Sequence, residues 1–320
     1  MNALHLMVDS YDRPLVRPLT IGQNVLHTRR GLIVTLTDES GRMGHGEIAP
    51  LPGLHRESLE QARAQVDVIS RSHVPLAKQQ GRETWYPSVR LGLGMARMQL
   101  QWGRYLGPGI RVKLNALVLA HDGAFIDQAL ALADQGYHSI KVKVGRQDLN
   151  RDIELVVTLR DRLNSKTRLR LDANRAWTLD QAIQFATEVG KRGIQYIEEP
   201  LIDMQELKTF CTHTRFPVAL DETLMEVTPE TLPRTKGIVA LVIKPAVIGS
   251  LVTVSEYIGT AGYRGWDSVL SSVFESEVAL HFYGRLACEH GLENTPQGLD
   301  TWRWFKDPTC QTKKGCLVVT

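Results

Sequence analysis

Two lysines, Lys141 and Lys143, alternate with apolar residues in the stretch SIKVKVG at 139–145. This alternation is typical of a β-strand, which would point both ammonium groups to the same face. Like charges that close lower each other's pKa, and a lysine with a lowered pKa can accept a proton near neutral pH. A half-exposed antiparallel strand has the same alternation, so this stretch alone leaves a purely structural role open.

Further ionisable residues follow Lys143 at regular intervals, each at the end of an apolar segment. Successive positions lie 23 to 29 residues apart, about one strand plus one helix: Asp172 (RLRLDAN), Glu198 (YIEEP), Asp221 (ALDET) and Lys244 (LVIKP). In a parallel barrel such strand ends meet at one mouth. Because carboxylate oxygens are the ligands that Mg²⁺ prefers, we predict a Mg²⁺ site at Asp172, Glu198 and Asp221, with positions left open for water and substrate.

Each of these residues has a simpler explanation when it is taken alone. Asp172 and Asp221 both precede helical segments, where an aspartate is commonly the helix N-cap. Glu199 beside Glu198 could form a solvated pair, and Lys244 could be an ordinary loop residue before a proline. The order Lys-x-Lys, Asp, Glu, Asp, Lys at successive strand ends favours one shared site over a chance coincidence.

Alternating strand and helix patterns after residue 109 would position these side chains. Apolar segments typical of strands lie at 112–119, 139–144, 167–172, 194–198, 217–221, 237–244 and 268–272. Helical segments lie at 123–135, 150–163, 178–190, 204–211 and 250–262, with a short one near Pro229; the third opens with the capping box Thr178-x-x-Gln181, and Ser250 caps the last. The pattern predicts a parallel sheet closed as a (β/α) barrel, with an indistinct eighth unit in 294–300. An open doubly wound sheet is the alternative, but no GxGxxG follows an early strand.

The first 105 residues do not repeat this pattern. Segments 31–37 and 44–48 are typical of strands, PLPG at 50–53 indicates a turn, and 57–72 and 87–102 have helical apolar spacing. Strands followed by helices predict a small α+β unit ahead of the barrel.

Composition and charge exclude several classes of function. The 320 residues carry 38 basic and 35 acidic side chains, a formal net charge of +3, without a basic run, so we expect no nucleic-acid partner. No segment approaches the roughly 20 apolar residues of a membrane span, and we expect a cytoplasmic protein without a membrane partner. Cys211, Cys288, Cys310 and Cys316 have neither CxxC nor zinc spacing, which predicts reduced thiols. The sequence does not determine an oligomeric state, and a monomer is compatible with it.

The series of lysines and carboxylates resembles the enolase superfamily, specifically its muconate-lactonizing-enzyme-like subgroup with lysines on the second and sixth barrel strands. The resemblance covers essentially the whole chain. It implies a (β/α)7β-type modified TIM barrel at 106–300 behind an α+β capping domain, or lid, at 1–105, which part of the tail 301–320 would join. The loop of that lid that sets specificity would lie within 20–30.

Five longer blocks are similar to those of the o-succinylbenzoate synthase family within that superfamily. They are GEIAPLPG at 46–53, RLDANRAW at 170–177, IKPAVIGS at 243–250, SSVFES at 271–276 and GLDT at 298–301. One departure is Val273, where relatives have a third serine. The implied reaction is dehydration of 2-succinyl-6-hydroxy-2,4-cyclohexadiene-1-carboxylate to 2-succinylbenzoate, a step of menaquinone synthesis that proceeds through a Mg²⁺-stabilised enediolate. An α-proton of a carboxylate is scarcely acidic, so this chemistry needs a divalent cation in a dry, preorganised site.

The resemblance also implies a role for each site residue. Asp172, Glu198 and Asp221 would bind the metal, Lys143 would be the general base, and Lys244 would be the second catalytic lysine, near the ring face in a cation–π arrangement. Supporting and substrate-binding roles would fall to Lys141, Arg170, Asn174, Ser271 and Gly298. Arg170, on the strand face of Asp172, could position carboxylate groups of a small-molecule substrate.

Two groups of alternatives stay open at this point. N-acylamino acid racemases, dipeptide epimerases and cycloisomerases need the same metal and lysines, so the constellation does not separate them from a dehydratase. A non-catalytic metal-binding scaffold is the alternative from another class. The lysines at 143 and 244 argue against it, because a scaffold has no use for bases directed at the metal.

Overall fold

A three-stranded antiparallel sheet opens the fold in our computed structural model, which describes residues 4–71, 84–102, 110–118 and 124–319. Its strands, in spatial order, are β1 (His5–Ile21), β2 (Asn24–Thr37) and β3 (Met43–Ile48). Two helices, α1 (Leu59–Arg71) and α2 (Pro87–Trp102), pack on it and complete the capping domain. The expected domain boundary at 105/106 lies outside the described residues.

The sequence interpretation missed β1 and treated residues 20–30 as a loop. β1 pairs with β2 from His5–Thr37 to Ile21–Asn24, and the chain reverses at Gly22, whose φ is +57°. The loop expected within 20–30 is therefore only the two-residue turn at 22–23, and the rest of this range belongs to β1 and β2. Most side chains of β1 are exposed or half-buried, so no apolar run marks it in the sequence.

Helix α2 lies unusually close to β3. A Cβ added at Gly46 would stand 1.8 Å from the Gly92 carbonyl oxygen, so only glycine allows this approach. The contact seals a separate apolar core around Val34, Val89 and Leu93.

The single strand predicted at 112–119 is two strands in the structure, β4 (Ile110–Lys113) and β5 (Asn115–Leu117). β5 opens the predicted parallel sheet of seven strands, which are spatially ordered as in the chain. The other six are β6 (Ser139–Lys143), β7 (Arg168–Asp172), β8 (Ile194–Glu198), β9 (Val218–Leu220), β10 (Ile238–Ile243) and β11 (Asp267–Leu270).

Two residues close this sheet into a barrel. Gln297 forms a parallel bridge with Leu114 at the start of the sheet, and Gly298 forms one with Ser271 at its end. The indistinct eighth unit is thus a short closing segment, which explains its weak signal in the sequence. Strand β4 pairs instead with the C-terminal hairpin of β12 (Thr312–Lys313) and β13 (Cys316–Val319).

Helices follow most of the barrel strands, as the alternation predicts. They are α3 (Phe125–Asp134), α4 (Leu149–Arg162), α5 (Leu179–Val189), α6 (Leu207–Thr214), α7 (Pro245–Ile248), α8 (Leu251–Tyr263) and α9 (Glu277–Glu289). Thr178 and Gln181 form the predicted capping box, and Ser250 caps α8. The short helix predicted near Pro229 is wrong: residues 229–231 form turns, and the stretch after β9 has a 3₁₀ helix at Glu222–Met225.

All four cysteines are free thiols, as predicted. Within the described parts of the chain, the helices are too short or too polar to cross a bilayer.

Candidate active site

Three carboxylates converge at the C-terminal ends of neighbouring strands. Asp172 ends β7, Glu198 ends β8 and Asp221 directly follows β9. Each residue is only 1–3% exposed, and one oxygen from each lies within 4.8 Å of the others. Like-charged groups this close and this buried repel each other strongly unless cations lie between them. The cluster therefore has the donor set and spacing of a divalent cation site.

The N-cap explanation for the two aspartates fails. The side chain of Asp221 makes no capping hydrogen bond to the 3₁₀ helix that follows it. The helix after Asp172 is capped by Thr178 instead. Neither carboxylate is therefore committed to capping a helix.

The predicted lysine pair points into the same cluster. Lys141 Nζ lies 2.7 Å from Asp172 Oδ2 and 2.6 Å from Glu198 Oε2. Lys143 Nζ lies 2.5 Å from the same Asp172 oxygen and 2.6 Å from Asn174 Oδ1. The two lysines share one strand face, as the alternation along β6 indicates, and both ammonium groups contact the same oxygen of Asp172.

Lys244 approaches the carboxylates from the opposite side. It follows β10, which is separated from β6 by the three strands that lead to the carboxylates. Its Nζ lies 2.6 Å from Oδ1 and 2.7 Å from Oδ2 of Asp221. Lys143 and Lys244 therefore flank the three carboxylates across the barrel mouth.

Burial and charge separate the pKa values of the three lysines. Burial lowers the pKa of Lys143, and the charge of Lys141 lowers it further, so like-charge repulsion contributes but is not the largest cause. Burial also lowers the pKa of Lys141, but Asp172 and Glu198 outweigh it and the pKa is raised. Burial is also the largest effect on Lys244 and lowers its pKa, but the charges of Asp221 and Glu222 and the hydrogen bond to Asp221 together outweigh it, so the pKa is raised.

The pKa values of Glu198 and Asp172 are shifted in opposite directions. Burial raises the pKa of Glu198 to about 7, although the charge of Lys141 opposes this rise. Burial acts in the same sense on Asp172, but the charges of Lys141 and Lys143 outweigh it and hold its pKa well below the ordinary range. Asp172 is therefore more firmly ionised than Glu198.

Asn174 positions Lys143 through its side-chain amide. Its Oδ1 accepts from Lys143 Nζ, and its Nδ2 donates to Glu222 Oε1 at 2.8 Å. Its backbone has φ of 45°, in the left-handed region that asparagine tolerates better than most residues. Glu222 was not predicted; its place directly after Asp221 is the only sequence signal for it.

Glu199 is not the solvated neighbour of Glu198 that the sequence left open. It is fully buried, its Oε2 lies 3.0 Å from Arg175 Nε, and its Oε1 accepts from the backbone N of Asp221 and Thr223 at 2.9 Å each. This carboxylate fixes the chain where Asp221 enters the cluster. Sequence reasoning missed the role because the contact partners lie 22 to 24 residues away along the chain.

Two further predicted residues meet at the rim beside Lys244. The backbone N of Ser271 donates to the carbonyl of Ile243, directly before Lys244, at 2.8 Å. A Cβ at position 298 would stand 2.8 Å from Ser271 Oγ, so a larger residue there would displace the Ser271 side chain. Val273 is buried, at 3% exposed.

The structure does not bring Arg170 to the cluster. Its guanidinium donates to Gln195 Oε1 at 2.9 Å and to the Pro296 carbonyl at 2.6 Å, and it lies 5.0 Å from the Tyr196 ring centroid. Gln195 lies at the beginning of β8, whereas Glu198 ends it. Arg170 therefore joins strands below the site.

Family models and curated relatives match both parts of the chain. Residues 5–100 match the model described as MenC, N-terminal domain, and residues 124–284 match Enolase C-terminal domain-like. The o-succinylbenzoate synthase of Vibrio cholerae serotype O1 (strain M66-2) is 34% identical over 310 residues, covering 94% of this chain and 90% of the relative. That of Haemophilus influenzae is 33% identical over 304 residues, covering 91% and 88%.

Solved structures share the architecture. The o-succinylbenzoate synthase from Thermosynechococcus elongatus BP-1, complexed with Mg in the active site, has a TM-score of 0.78 at 27% identity and covers 95% of each chain. The L-Ala-D/L-Glu epimerase from Bacillus subtilis has a TM-score of 0.83 at 19% identity, covering 100% of this chain and 97% of the other, which shows a common fold.

Proposed function

The chain belongs to the o-succinylbenzoate synthase family of the enolase superfamily, and we propose that Lys143 and Lys244 serve its hydro-lyase reaction in the roles argued below. That reaction dehydrates 2-succinyl-6-hydroxy-2,4-cyclohexadiene-1-carboxylate to 2-succinylbenzoate in menaquinone biosynthesis. The placement of these two lysines on opposite sides of three buried carboxylates supports their roles. The o-succinylbenzoate synthase relatives favour dehydration over racemisation.

Asp172, Glu198 and Asp221 fit a divalent cation, which we propose is Mg²⁺, because all three are buried and offer oxygen donors within 4.8 Å of one another. When bound, Mg²⁺ would supply the positive charge that makes a proton next to a substrate carboxylate more acidic. Lys141, which contacts Asp172 and Glu198, would hold these two carboxylates in place.

Lys143 would both remove and return the proton in a syn elimination. Its Nζ, held by Asp172 and Asn174, would take the α-proton, and the C–H electron pair would be delocalised onto the substrate carboxylate. That pair would then form the new ring double bond as the C–O bond breaks, and the same ammonium group would protonate the departing hydroxyl, releasing water. Formation of an aromatic ring makes this second half favourable.

Lys244 would contribute charge without exchanging a proton. Both oxygens of Asp221 accept from its Nζ, which keeps the ammonium group at a defined place on the far side of the cluster. A positive charge there would stabilise the negative charge that develops on the substrate during proton removal. We further propose that the capping domain acts as a lid that excludes water from this reaction.

The decisive experiment follows product absorbance with the cyclohexadiene substrate and Mg²⁺, beside a racemisation assay with an N-succinylamino acid. We expect metal-dependent formation of the aromatic product. Racemisation without dehydration would refute the assignment and favour the racemase alternative. We also propose that the substrate is a small-molecule carboxylate and that the protein is located in the cytoplasm.

A further inference from the structure

The segment SSVFES at 271–276 connects the site rim to the capping domain. It leaves the barrel after β11, and its last residue, Ser276, is the N-cap of α9. At its first residue, Ser271 lies beside the strand that leads to Lys244. Whatever holds residue 276 therefore also limits where residue 271 can lie.

A buried carboxylate of the capping domain holds the far end of this segment. Glu47, near the end of β3, is 3% exposed. Its Oε1 accepts from the backbone N of Ser276 at 2.8 Å, and its Oε2 accepts from Ser276 Oγ at 2.7 Å and from the backbone N of Ala279 at 3.2 Å. The negative charge thus lies at the N-terminus of α9, where it is electrostatically favoured. Tyr11 donates a further hydrogen bond to Glu47 from within the capping domain.

A buried guanidinium holds the middle of the same segment. Arg29, 2% exposed, donates from Nε to the carbonyl of Phe274 at 3.0 Å. Its two other nitrogens donate to the carbonyls of Ala49 and Pro50, in the turn after β3. One side chain therefore joins the capping-domain turn to the barrel segment.

The backbone of the segment is strained where Arg29 contacts it. Phe274 has φ of +64°, in the left-handed region that a bulky side chain rarely adopts. Such a conformation persists only where the surroundings impose it. Here Arg29 holds the Phe274 carbonyl and Glu47 holds Ser276 two residues further on, beside a hydrogen bond from the backbone N of Val273 to Glu275 within the turn.

We propose that Glu47 is a positioning residue for substrate binding: it fixes Ser276 and thereby sets the position of Ser271 at the site rim. The inference rests on the proposed function and on the substrate-binding role that the family resemblance implies for Ser271. It gives the capping domain a second influence on the site, separate from the hairpin end at 20–30. The metal ligands and Lys143 lie on other strands, so the contact between Glu47 and Ser276 acts on substrate affinity more than on the chemical step.

The test compares Glu47→Gln with Tyr11→Phe in steady-state dehydration. Glutamine at 47 would present an N–H group to the N–H donors of Ser276 and Ala279, so we expect KM to rise about tenfold, with kcat and Mg²⁺ activation little changed. Tyr11→Phe removes a hydrogen bond to the same carboxylate but leaves the barrel contacts intact. It should lower the thermal unfolding midpoint and leave KM unchanged.

A second variant tests whether Glu47 and Ser276 act together. It also keeps the inference testable if Glu47→Gln does not fold. Ser276→Ala should raise KM by a smaller factor, and in the double variant the two effects should be less than additive. An unchanged KM in Glu47→Gln, an unchanged KM in Ser276→Ala, fully additive effects, or a proportionate loss of Mg²⁺ activation would each overturn the inference.

Hydrogen exchange separates a failure of this inference from a failure of the proposed function. If the unaltered protein does not dehydrate the substrate, the proposed function is wrong. The positioning role of Glu47 is then tested by amide exchange in residues 271–276, which Glu47→Gln should accelerate and Tyr11→Phe should not. Equal exchange in both variants would overturn it.

Discussion

Replacing Lys143 and Lys244 separately should distinguish their roles in the reaction. If Lys143 alone removes the α-proton and protonates the leaving hydroxyl, Lys143→Ala loses a general base and a general acid together. Each such contribution is worth about 10²- to 10⁴-fold, so we expect dehydration to fall by several powers of ten. The metal site should survive, because Lys141 remains in contact with Asp172 and Glu198.

Lys244→Arg should have a much milder effect on the same reaction. The two oxygens of Asp221 already accept from Lys244 Nζ at 2.6 and 2.7 Å, and a guanidinium can contact both oxygens of one carboxylate. The variant keeps the positive charge but cannot exchange a proton near neutral pH. We expect it to retain measurable dehydration, while any racemisation, which needs a proton donor or acceptor on each face, disappears.

The assay measures aromatic product and loss of optical rotation for both variants, with Mg²⁺ affinity by calorimetry as the control. Retention of racemisation by Lys244→Arg, or of dehydration by Lys143→Ala, would show that the one-base assignment is wrong. The roles would then have to be exchanged or shared.

The remaining predictions concern the metal, the lid and a buried acid. Asp172→Asn, Glu198→Gln or Asp221→Asn should each weaken Mg²⁺ binding in calorimetry and remove most activity; unchanged turnover in chelator-treated protein would contradict the metal assignment. Deletion of residues 1–105 should leave an inactive or unfolded barrel, as activity and circular dichroism would report, and a normally active barrel would end the lid proposal. Burial raises the pKa of Asp300 to about 7, so between about pH 4 and pH 7 it holds a proton that the unfolded chain has released. The free energy of unfolding should therefore fall as pH rises through this window, and Asp300→Asn should flatten that dependence in denaturant titrations; an unchanged slope would contradict it.

The positions of the three clustered carboxylates and the lysines could be predicted from the sequence for a simple geometric reason. In a parallel barrel, each strand and helix returns the chain to the same mouth, so residues 23 to 29 positions apart become neighbours. Alternation along β6 likewise determines that Lys141 and Lys143 share a face. Both are regularities of the local backbone, so they can be read without knowledge of the partner residues.

The tertiary structure decided what depends on partners distant in the chain. The local sequence of Glu199 is compatible with exposure or burial. Only the packing of the adjacent β9 shows that Glu199 accepts a hydrogen bond from the backbone N of Asp221. Arg170 lies on the expected strand, but contacts with Gln195 and Pro296 direct its guanidinium away from the carboxylates. Glu47 contacts Ser276 across 229 residues. Periodicity determines the face from which a side chain leaves its strand, but the groups that it meets are determined by how the elements pack against each other.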